Sequence, residues 1–378
     1  MKYFIIAGEA SGDLHGANLM HELKNADRKA EFCFLGGDLM ADAADLKPVI
    51  HYRQMAFMGF IPVILHLGAV LKNLSNCKKA LRDFLPDVLI LIDYPSFNLR
   101  IAKFAKKELG LKVYYYISPK LWAWKEYRIK SIKALIDKMI CIFPFEIEFY
   151  KRHDYNRTVY VGNPLVDAIE NRPEKEEAFD TFISRNQLEN KPIVALLAGS
   201  RKKEISDNLP LMLSVMPAFP SYQFVIAGAP GIDEKYYKIF IDSSSANIVF
   251  GQTYSLLRQS TAALVTSGTA TLETALFNVP QAVTYNMSFG RIVPFLYKIL
   301  IHTPYFSLVN IISGKPVVKE LLGHQVSTQA LTEELQHLLQ PSDYRNTMLD
   351  EYRRLQQQMG NAGASGRAAT IIVDSLLK

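Results

Sequence analysis

Short apolar runs alternate with amphipathic segments along this chain. In the first half the apolar runs lie at residues 3–7, 31–35, 88–92, 113–117, 139–143 and 159–161. In the second half they lie at residues 193–197, 224–227, 248–250, 263–266 and 281–284. Amphipathic segments lie between them, for example at residues 17–24, 98–107 and 205–216. This alternation predicts parallel β-sheets covered by helices on both faces.

The alternation occurs twice, which predicts two doubly wound α/β domains facing each other across a cleft. A chain of 378 residues also exceeds what one hydrophobic core usually supports. We expect an N-terminal domain at residues 1–165, a second domain at residues 166–341 and C-terminal helices at residues 342–378. We expect those helices to pack back across the first domain, and their apolar faces are also candidates for pairing in a homodimer.

Composition and charge narrow the class of protein. Hydrophobic residues make up 49% and charged residues 21%, as in a folded chain. The net charge of +6 favours anionic partners, but basic residues do not alternate with stacking aromatics as in single-strand binders, so no nucleic acid is expected. The three scattered cysteines have no metal-ligand spacing. The N-terminus reads as a first strand and not as a signal peptide, which predicts a cytoplasmic protein.

One apolar segment complicates that picture. Residues 54–71 contain no Asp, Glu, Lys or Arg, yet the run is slightly short for a spanning helix, which needs about 20 residues. Two interpretations stay open: a core helix under a sheet, or a helix resting its apolar side on a bilayer. The candidate membrane residues are Phe60, Ile61, Ile64 and Leu65. The apolar and basic stretch at residues 289–301 poses the same question.

Two strand-to-helix turns in the second half predict a nucleotide diphosphate site. Small residues let a backbone approach phosphate closely, and the free N–H groups of a helix start favour anions. An arginine adds a bidentate phosphate contact, and a glutamate one turn into its helix accepts bonds from ribose hydroxyls. The alternative is a pair of ordinary turns. The candidate residues are Gly199, Ser200, Arg201, Ser267, Gly268, Thr269 and Glu273.

The first half carries two further candidate strand ends. Glu9, Ser11 and Gly12 lie in a glycine-rich turn after the first strand, although glycines at this spacing also suit helix–sheet packing. Asp93 ends a predicted central strand, where a buried carboxylate can accept a proton from an attacking hydroxyl. Its alternative role is to cap the helix that begins near Ser96.

Both tryptophans, Trp122 and Trp124, fall in one strand-end loop. They are candidates for stacking on sugars or meeting lipid and phosphate, with simple packing as the alternative. The chain has no HExxH, paired CxxC, DxD, GxSxG or P-loop motif. We therefore expect no metal and no cofactor, and the hydrolase and kinase classes lose support.

The motifs taken together resemble the lipid-A-disaccharide synthase family. The resemblance runs in order from residue 5 to about residue 323, and its most specific part is the stretch that ends in the two tryptophans. It is carried by the runs at residues 7–13, 58–60, 92–98, 116–124, 143–146, 161–165, 198–201, 267–273 and 307–310.

The resemblance implies a GT-B glycosyltransferase with two facing Rossmann-like domains, the second binding most of the donor. Such an enzyme transfers 2,3-diacylglucosamine from UDP to the 6-hydroxyl of 2,3-diacylglucosamine 1-phosphate (lipid X). The products are UDP and the β-1,6-linked disaccharide, on the route to lipid A and lipopolysaccharide. Because both substrates carry acyl chains, the resemblance also implies that the apolar segment at residues 54–71 contacts the cytoplasmic face of the inner membrane, with the enzyme bound peripherally.

The resemblance also assigns roles to single residues. Asp93 matches the family's proposed base and Glu9 its acidic position in the first glycine turn. Arg201 matches the phosphate-side arginine, Glu273 the ribose-side glutamate, and Asn310 an active-site asparagine.

Two rival functions remain. One is a UDP-N-acetylglucosamine 2-epimerase, or a transferase with a soluble acceptor, on the same fold. The other is a non-catalytic, membrane-bound sensor of UDP-sugars. The apolar segment and the tryptophan loop argue against the first, and the intact Asp93 argues against the second.

Overall fold

The alternation of strands and helices forms two parallel sheets, each in its own unit of the chain. The computed structural model describes residues 1–55, 67–122, 126–241, 244–285 and 304–377. The first unit comprises Met1–Asp167 and Asn361–Lys378, and the second comprises Ala168–Gly360. Parallel-sheet α/β architecture is thus confirmed for both halves of the chain.

The sheet of the first unit has the strand order β3-β2-β1-β4-β5-β6-β7, and every pairing is parallel. Ile5 in the central strand pairs with Phe34 on one side and Ile90 on the other. The strands are β1 (Lys2–Ala7), β2 (Glu31–Gly36), β3 (Ile50–His51), β4 (Val88–Ile92), β5 (Lys112–Tyr116), β6 (Lys138–Cys141) and β7 (Thr158–Tyr160).

Helices connect these strands, as parallel neighbours require, and one more helix follows β7. They are α1 (Ala10–Ala26), α2 (Asp38–Ala44), α3 (Leu67–Phe84), α4 (Pro95–Glu108), α5 (Ile129–Leu135), α6 (Pro144–Arg152) and α7 (Pro164–Glu170), with 3₁₀ turns at Tyr52–Gln54 and Glu126–Arg128.

The sheet of the second unit has the order β10-β9-β8-β11-β12-β13. Its strands are β8 (Ile193–Leu197), β9 (Gln223–Gly228), β10 (Asn247–Phe250), β11 (Ser260–Thr266), β12 (Gln281–Tyr285) and β13 (Glu320–Leu322). Its helices are α8 (Phe179–Arg185), α9 (Lys202–Ser214), α10 (Glu234–Ile241), α11 (Thr253–Arg258), α12 (Thr269–Leu276), α13 (Leu308–Ser313), α14 (Thr328–Leu339) and α15 (Asp343–Met359), with 3₁₀ turns at Met216–Ala218 and Gly323–Gln325.

Both sheets reverse their direction of growth once. In the first unit β1, β2 and β3 lie side by side in chain order, and β4 then lies on the other side of β1. The second unit repeats this with β8 and β11. Open α/β sheets bind ligands at the carboxyl ends of the strands that flank such a reversal. The reversal therefore marks one candidate position in each unit.

The two C-terminal helices belong to different units. The last helix, α16 (Ala364–Leu377), returns to the first unit and packs on α1 through buried residues such as Ile372 and Val373. Its apolar face, a candidate for pairing between subunits, is therefore used within the chain. The longer helix α15 stays with the second unit, although sequence analysis grouped it with α16. Gln281 donates to the hydroxyl of Tyr352 at 3.2 Å, and this bond anchors α15 there.

Asp167 fixes the start of α16. Its carboxylate accepts the backbone N–H groups of Gly363, Ala364 and Ser365 at 2.7, 3.2 and 3.3 Å. An anionic acceptor at a helix N-terminus satisfies N–H groups that have no partner in the helix itself. Asp167 is the residue at which the chain leaves the first unit, and α16 begins shortly after the chain returns to it at Asn361. One carboxylate thus joins these two parts of the first unit.

None of the helices formed by the described residues is both long enough and apolar enough to cross a bilayer. The candidate membrane residues Phe60, Ile61, Ile64 and Leu65 lie outside the described residues, and so does the stretch at 289–301.

We predict that Asp13→Ala lowers the free energy of unfolding by about 2–3 kcal/mol. The buried Asp13 carboxylate accepts the backbone N–H groups of Gly37, Leu39 and Met40 at 2.6, 3.1 and 3.2 Å, and alanine would leave them without that acceptor. Urea denaturation gives the measurement. Asp42→Ala, on the exposed side of α2, is the matched control and should change stability by less than about 0.5 kcal/mol.

Candidate active site

Asp93 follows β4 directly, beside the reversal of the first sheet. Asp93 and Tyr94 have φ angles of 40° and 48°, in the left-handed region that side chains with a Cβ rarely adopt. The backbone oxygen of Asp93 accepts hydrogen bonds from the Tyr115 hydroxyl at 2.5 Å and from Asn98 Nδ2 at 2.6 Å. These bonds hold the strained turn that carries the Asp93 carboxylate, and such strain is typical of functional sites.

The Asp93 carboxyl has a raised pKa. Burial is the main cause, while the positive charge of Lys120 and the backbone N–H of Tyr94 oppose it. A raised pKa makes a carboxylate a better proton acceptor. Asp93 is not the N-cap residue of α4, because that position is held by Tyr94, and no side chain caps the helix there.

Glu9 lies at the neighbouring strand end, at the N-cap of α1. A Cβ on Gly8 would lie 2.4 Å from the ring of Tyr94, so that glycine lets the ring pack over the end of β1. Burial first, and the Glu9 carboxylate second, raise the pKa of Tyr94. The structure thus brings Glu9 and the Asp93–Tyr94 turn to the same edge of the sheet.

Ser11 and Gly12 occupy the first turn of α1 and have different surroundings. Ser11 is exposed. Gly12 is buried, and a Cβ there would lie 3.2 Å from the Cβ of Ala7. Gly12 therefore serves the close packing of α1 on β1, which is the structural alternative that sequence analysis left open.

Trp122 packs inside the first unit. Its side chain is 7% exposed, and its ring meets Phe145 edge to face with 5.0 Å between centroids. This geometry favours the packing interpretation over contact with lipid. Trp124 lies outside the described residues.

Glu146 is a buried acid beside that aromatic cluster, and sequence analysis gave it no role. Its Oε2 accepts the backbone N–H groups of Ile142 and Phe143 at 3.1 and 3.0 Å, and so caps the start of α6. Burial raises its pKa to about 7, although those N–H groups oppose the shift. Glu146 lies three residues after Phe143, the N-cap residue of α6, and a glutamate at this position is a helix-start signal visible in the sequence.

In the second unit, the loop after β8 carries Gly199, Ser200 and Arg201. Gly199 has a φ of 117°, and a Cβ there would lie 2.5 Å from the Cβ of Glu204. Glu204 accepts the Ser200 backbone N–H at 2.9 Å and lies 3.3 Å from Arg201 Nη1. The Arg201 side chain is 63% exposed. Glycine is required for this turn, and the arginine is accessible at the start of α9.

The loop after β11 carries Ser267, Gly268 and Thr269. It lies next to the Gly199 loop, because β8 and β11 are paired neighbours whose register ends with Val265 beside Leu197. Gly268 and Thr269 are exposed at the start of α12. Helix starts leave their first N–H groups without partners inside the helix, so this loop can receive an anion.

Glu273 lies on α12 beyond this loop. Burial raises its pKa to about 7, and the Tyr254 hydroxyl, 3.4 Å away, opposes the shift. A carboxylate near its pKa at neutral pH can accept hydrogen bonds from hydroxyl groups when it is ionised. The structure thus brings all seven predicted donor residues to one edge of the second sheet or to the helix that starts there.

Asn310 has surroundings that differ from those expected of a residue touching substrate. It is 1% exposed. Its Nδ2 donates to the Val318 oxygen and to Glu320 Oε1, both at 2.9 Å, and its Oδ1 accepts the N–H groups of Val317 and Val318 at 2.8 and 2.9 Å. The amide is therefore fully occupied within the second unit.

Sequence analysis missed two glutamates beside the donor loops. Glu204 was detectable, because a glutamate three residues after the N-cap position of Arg201 is a helix-start signal. Glu320 carried no local signal, since its partners are 10 to 14 residues away and lie on another element.

Comparison with known proteins gives one consistent result. A family model described as lipid-A-disaccharide synthetase matches residues 3–372. The chain is 36% identical to the lipid-A-disaccharide synthase of Syntrophus aciditrophicus, covering 99% of this chain and 97% of that one. It is likewise 36% identical to that of Idiomarina loihiensis, covering 98% and 97%.

Solved structures share the fold at low sequence identity. The UDP-GlcNAc 2-epimerase from Neisseria meningitidis bound to UDP-GlcNAc superposes with a TM-score of 0.64 at 16% identity and covers all of both chains. The glycotransferase of kitacinnamycin superposes with a TM-score of 0.66 at 12% identity over 99% of each chain. These likenesses confirm the expected GT-B architecture.

We predict that Glu146→Gln flattens the dependence of stability on pH. The Glu146 pKa is about 7 in the folded chain, against a reference value of 4.5. The folded chain therefore holds this proton more tightly, and the free energy of unfolding falls as pH rises from about 4.5 to about 7, by up to about 3 kcal/mol. The Gln oxygen keeps both N–H bonds without the charge.

Denaturation of wild type and variant at pH 5 and pH 8 measures this difference. Glu148→Gln, exposed on the same helix, is the control and should keep the wild-type slope. An unchanged slope in Glu146→Gln would show that Glu146 is ionised across this range.

Proposed function

We propose a mechanism from the premise that this chain belongs to the lipid-A-disaccharide synthase family. The chain is a glycosyltransferase that joins two acylated glucosamine units in lipid A formation. Its donor is UDP-2,3-diacylglucosamine and its acceptor is 2,3-diacylglucosamine 1-phosphate. The transfer requires a site for the diphosphate, a proton acceptor for the attacking hydroxyl and access to lipid.

The observation that carries the proposal is the position of two loops. The loop with Arg201 and the loop with Gly268 follow β8 and β11, the neighbouring strands at which the second sheet reverses. This is where open α/β sheets bind nucleotides. Since the two loops follow paired strands, one diphosphate can reach both of them.

We assign the diphosphate to Arg201 and to the N–H groups at the start of α12. Arg201 is accessible, and a guanidinium binds phosphate oxygens in a bidentate manner. As the bond between the sugar and UDP breaks, negative charge grows on the departing diphosphate. Fixed donors that face this charge lower the barrier, which is the electrostatic role a metal performs elsewhere. Glu273 accepts hydrogen bonds from the ribose hydroxyls.

We assign the proton transfer to Asp93. The acceptor 6-hydroxyl attacks the anomeric carbon of the donor on the face opposite UDP, and its proton passes to the Asp93 carboxylate. A new C1–O6 bond forms as the C1–O bond to UDP breaks, with inversion to the β-linkage. The raised pKa of Asp93 supports this role. Glu9, at the same sheet edge, and the exposed Ser11 are proposed to contact the acceptor.

Acylated substrates require access to lipid. We propose peripheral association with the cytoplasmic face of the inner membrane through the apolar segment at residues 54–71. The support is the run of apolar residues without charge and the acyl chains of both substrates. Buried apolar area of this kind holds a peripheral protein at a bilayer without crossing it.

An epimerase remains the rival on the same fold. The likeness to UDP-GlcNAc 2-epimerases is a likeness of fold at 16% identity, whereas identity to the synthases is 36% over nearly the whole chain. The glycosyltransferase is therefore the better-supported function.

The test is incubation with UDP-2,3-diacylglucosamine and 2,3-diacylglucosamine 1-phosphate without divalent metal, read by mass spectrometry. We expect disaccharide with the wild type. With Asp93→Asn we expect a rate about 10²–10⁴-fold lower, because the proton acceptor is lost. Asp83→Asn, an exposed carboxylate on α3, should leave the rate unchanged.

Near-normal turnover by a folded Asp93→Asn variant would contradict the assignment of the base. Equal use of deacylated substrates would contradict the lipid specificity, and epimerised UDP-sugar as the product would favour the rival enzyme.

We also predict that UDP binding strengthens as pH rises through about 7, because Glu273, whose pKa is raised to about 7 by burial, accepts ribose hydroxyls in its ionised form. Between pH 8 and pH 6 the ionised fraction falls from about nine-tenths to about one-tenth, so wild-type affinity should drop about tenfold more than that of Glu273→Gln. Calorimetry gives the Kd of both proteins for UDP at each pH. Any pH dependence that remains in the variant comes from protonation of UDP itself. Parallel pH profiles would remove Glu273 from the ribose site.

A further inference from the structure

We propose that Glu320 is a positioning residue for the donor site: it holds the segment from Phe306 to Asn310, which in turn fixes the Ser267 loop. The inference rests on the proposed function, since that loop is assigned to the donor diphosphate. Glu320 itself lies on β13, at the edge of the second sheet.

The Glu320 carboxylate is the acceptor for three residues of that segment. Its Oε1 accepts the Ser307 N–H at 2.8 Å, the Ser307 hydroxyl at 2.7 Å and Asn310 Nδ2 at 2.9 Å. The N–H of Phe306 approaches both carboxylate oxygens, at 3.2 and 3.0 Å. A carboxylate suits this task because it has about four lone-pair sites and no hydrogen that would clash with a donor.

Phe306 passes this restraint to the donor loop. Its N–H donates to Glu320, and its carbonyl oxygen accepts the Ser267 hydroxyl at 3.0 Å. The Ser267 N–H donates to the Thr284 oxygen at 3.1 Å, on β12. Thr284 pairs in register with Leu321, the residue after Glu320. Both attachments of Ser267 therefore lead to the pair of strands β12 and β13.

Asn310 closes the same network. Its amide joins Glu320 to the backbone of Val317 and Val318, just before β13 begins. Ser307, with no exposed surface, caps α13 by accepting the Asn310 N–H at 3.2 Å. The fully bonded amide makes Asn310 a second positioning residue and gives a physical reason for an asparagine here that needs no contact with substrate.

The test is a double-mutant cycle of Glu320→Gln and Ser267→Ala, read as the Kd for UDP by calorimetry. A Gln side chain places an N–H₂ group against the donors that the carboxylate served, so the segment shifts. We expect Glu320→Gln to weaken UDP binding about tenfold, equivalent to about 1.4 kcal/mol. In the Ser267→Ala background, where the link to Phe306 is already lost, it should add less than about twofold.

The controls separate positioning from general destabilisation. Glu234→Gln, an exposed partner of Lys238 on α10, should leave the Kd unchanged. The loss in melting temperature caused by Glu320→Gln should be the same in both backgrounds, while its effect on Kd should depend on Ser267. If Glu320→Gln does not fold, Ser307→Ala takes its place: it removes the hydroxyl bond to Glu320 and the cap on the Asn310 N–H, and it keeps the carboxylate.

Three outcomes overturn the inference. An equal loss of affinity in both backgrounds would mean that Glu320 affects UDP binding by a route that does not pass through Ser267. A normal Kd in Glu320→Gln together with a weakened Kd in Ser267→Ala would leave the donor site in place and remove Glu320 from it. If neither Ser267→Ala nor Arg201→Ala weakens UDP binding, the proposed donor site itself fails, and the inference with it.

Discussion

The reversal of strand order in each parallel sheet is the constraint on which the candidate sites depend. The connections between the strands on one side of β1 or β8 cross one face of the sheet. The connections to the strands on the other side, which begin with β4 or β11, cross the opposite face. The loops at the carboxyl ends of the two central strands therefore diverge. Asp93 and Glu9 in the first unit, and Arg201 and Gly268 in the second, owe their positions at these strand ends to that divergence.

Carboxylates perform two separable tasks in this chain. Asp13, Asp167 and Glu320 each accept two or more backbone N–H groups, and so fix the start of a helix or a loop. For Asp93 and Glu273, burial outweighs the hydrogen bonds and raises the pKa. The first arrangement gives rigidity to the segment that it holds. The second raises the pKa of a carboxyl group, and perturbed pKa values of this kind cluster at functional sites.

Strained backbone occurs where the neighbouring strands β4 and β5 of the first sheet end. Asp93, Tyr94 and Ile117 have positive φ angles at the ends of β4 and β5, and the Tyr115 hydroxyl ties one strand end to the other. Maintaining such angles requires that the surroundings over-determine them. In the second unit a glycine at position 199 relieves the same problem, so the donor loop is held by hydrogen bonds and not by strain.

The sequence by itself determined the strands other than two at the sheet edges, the doubling of the α/β pattern, the loops that carry Asp93 and Arg201, and the helix that carries Glu273. Apolar periodicity and strand-end turns are local signals. The sequence did not determine the short edge strands β3 and β13, or that α15 stays with the second unit. It also left Trp122 and Gly12 open between binding and packing, and only the family resemblance made Asn310 an active-site residue. Tertiary structure decided the edge strands and the place of α15, and it shows that Trp122, Gly12 and Asn310 are buried. Burial, pKa and the partners of a carboxylate depend on residues far apart in the chain, which only the folded arrangement brings within hydrogen-bonding distance.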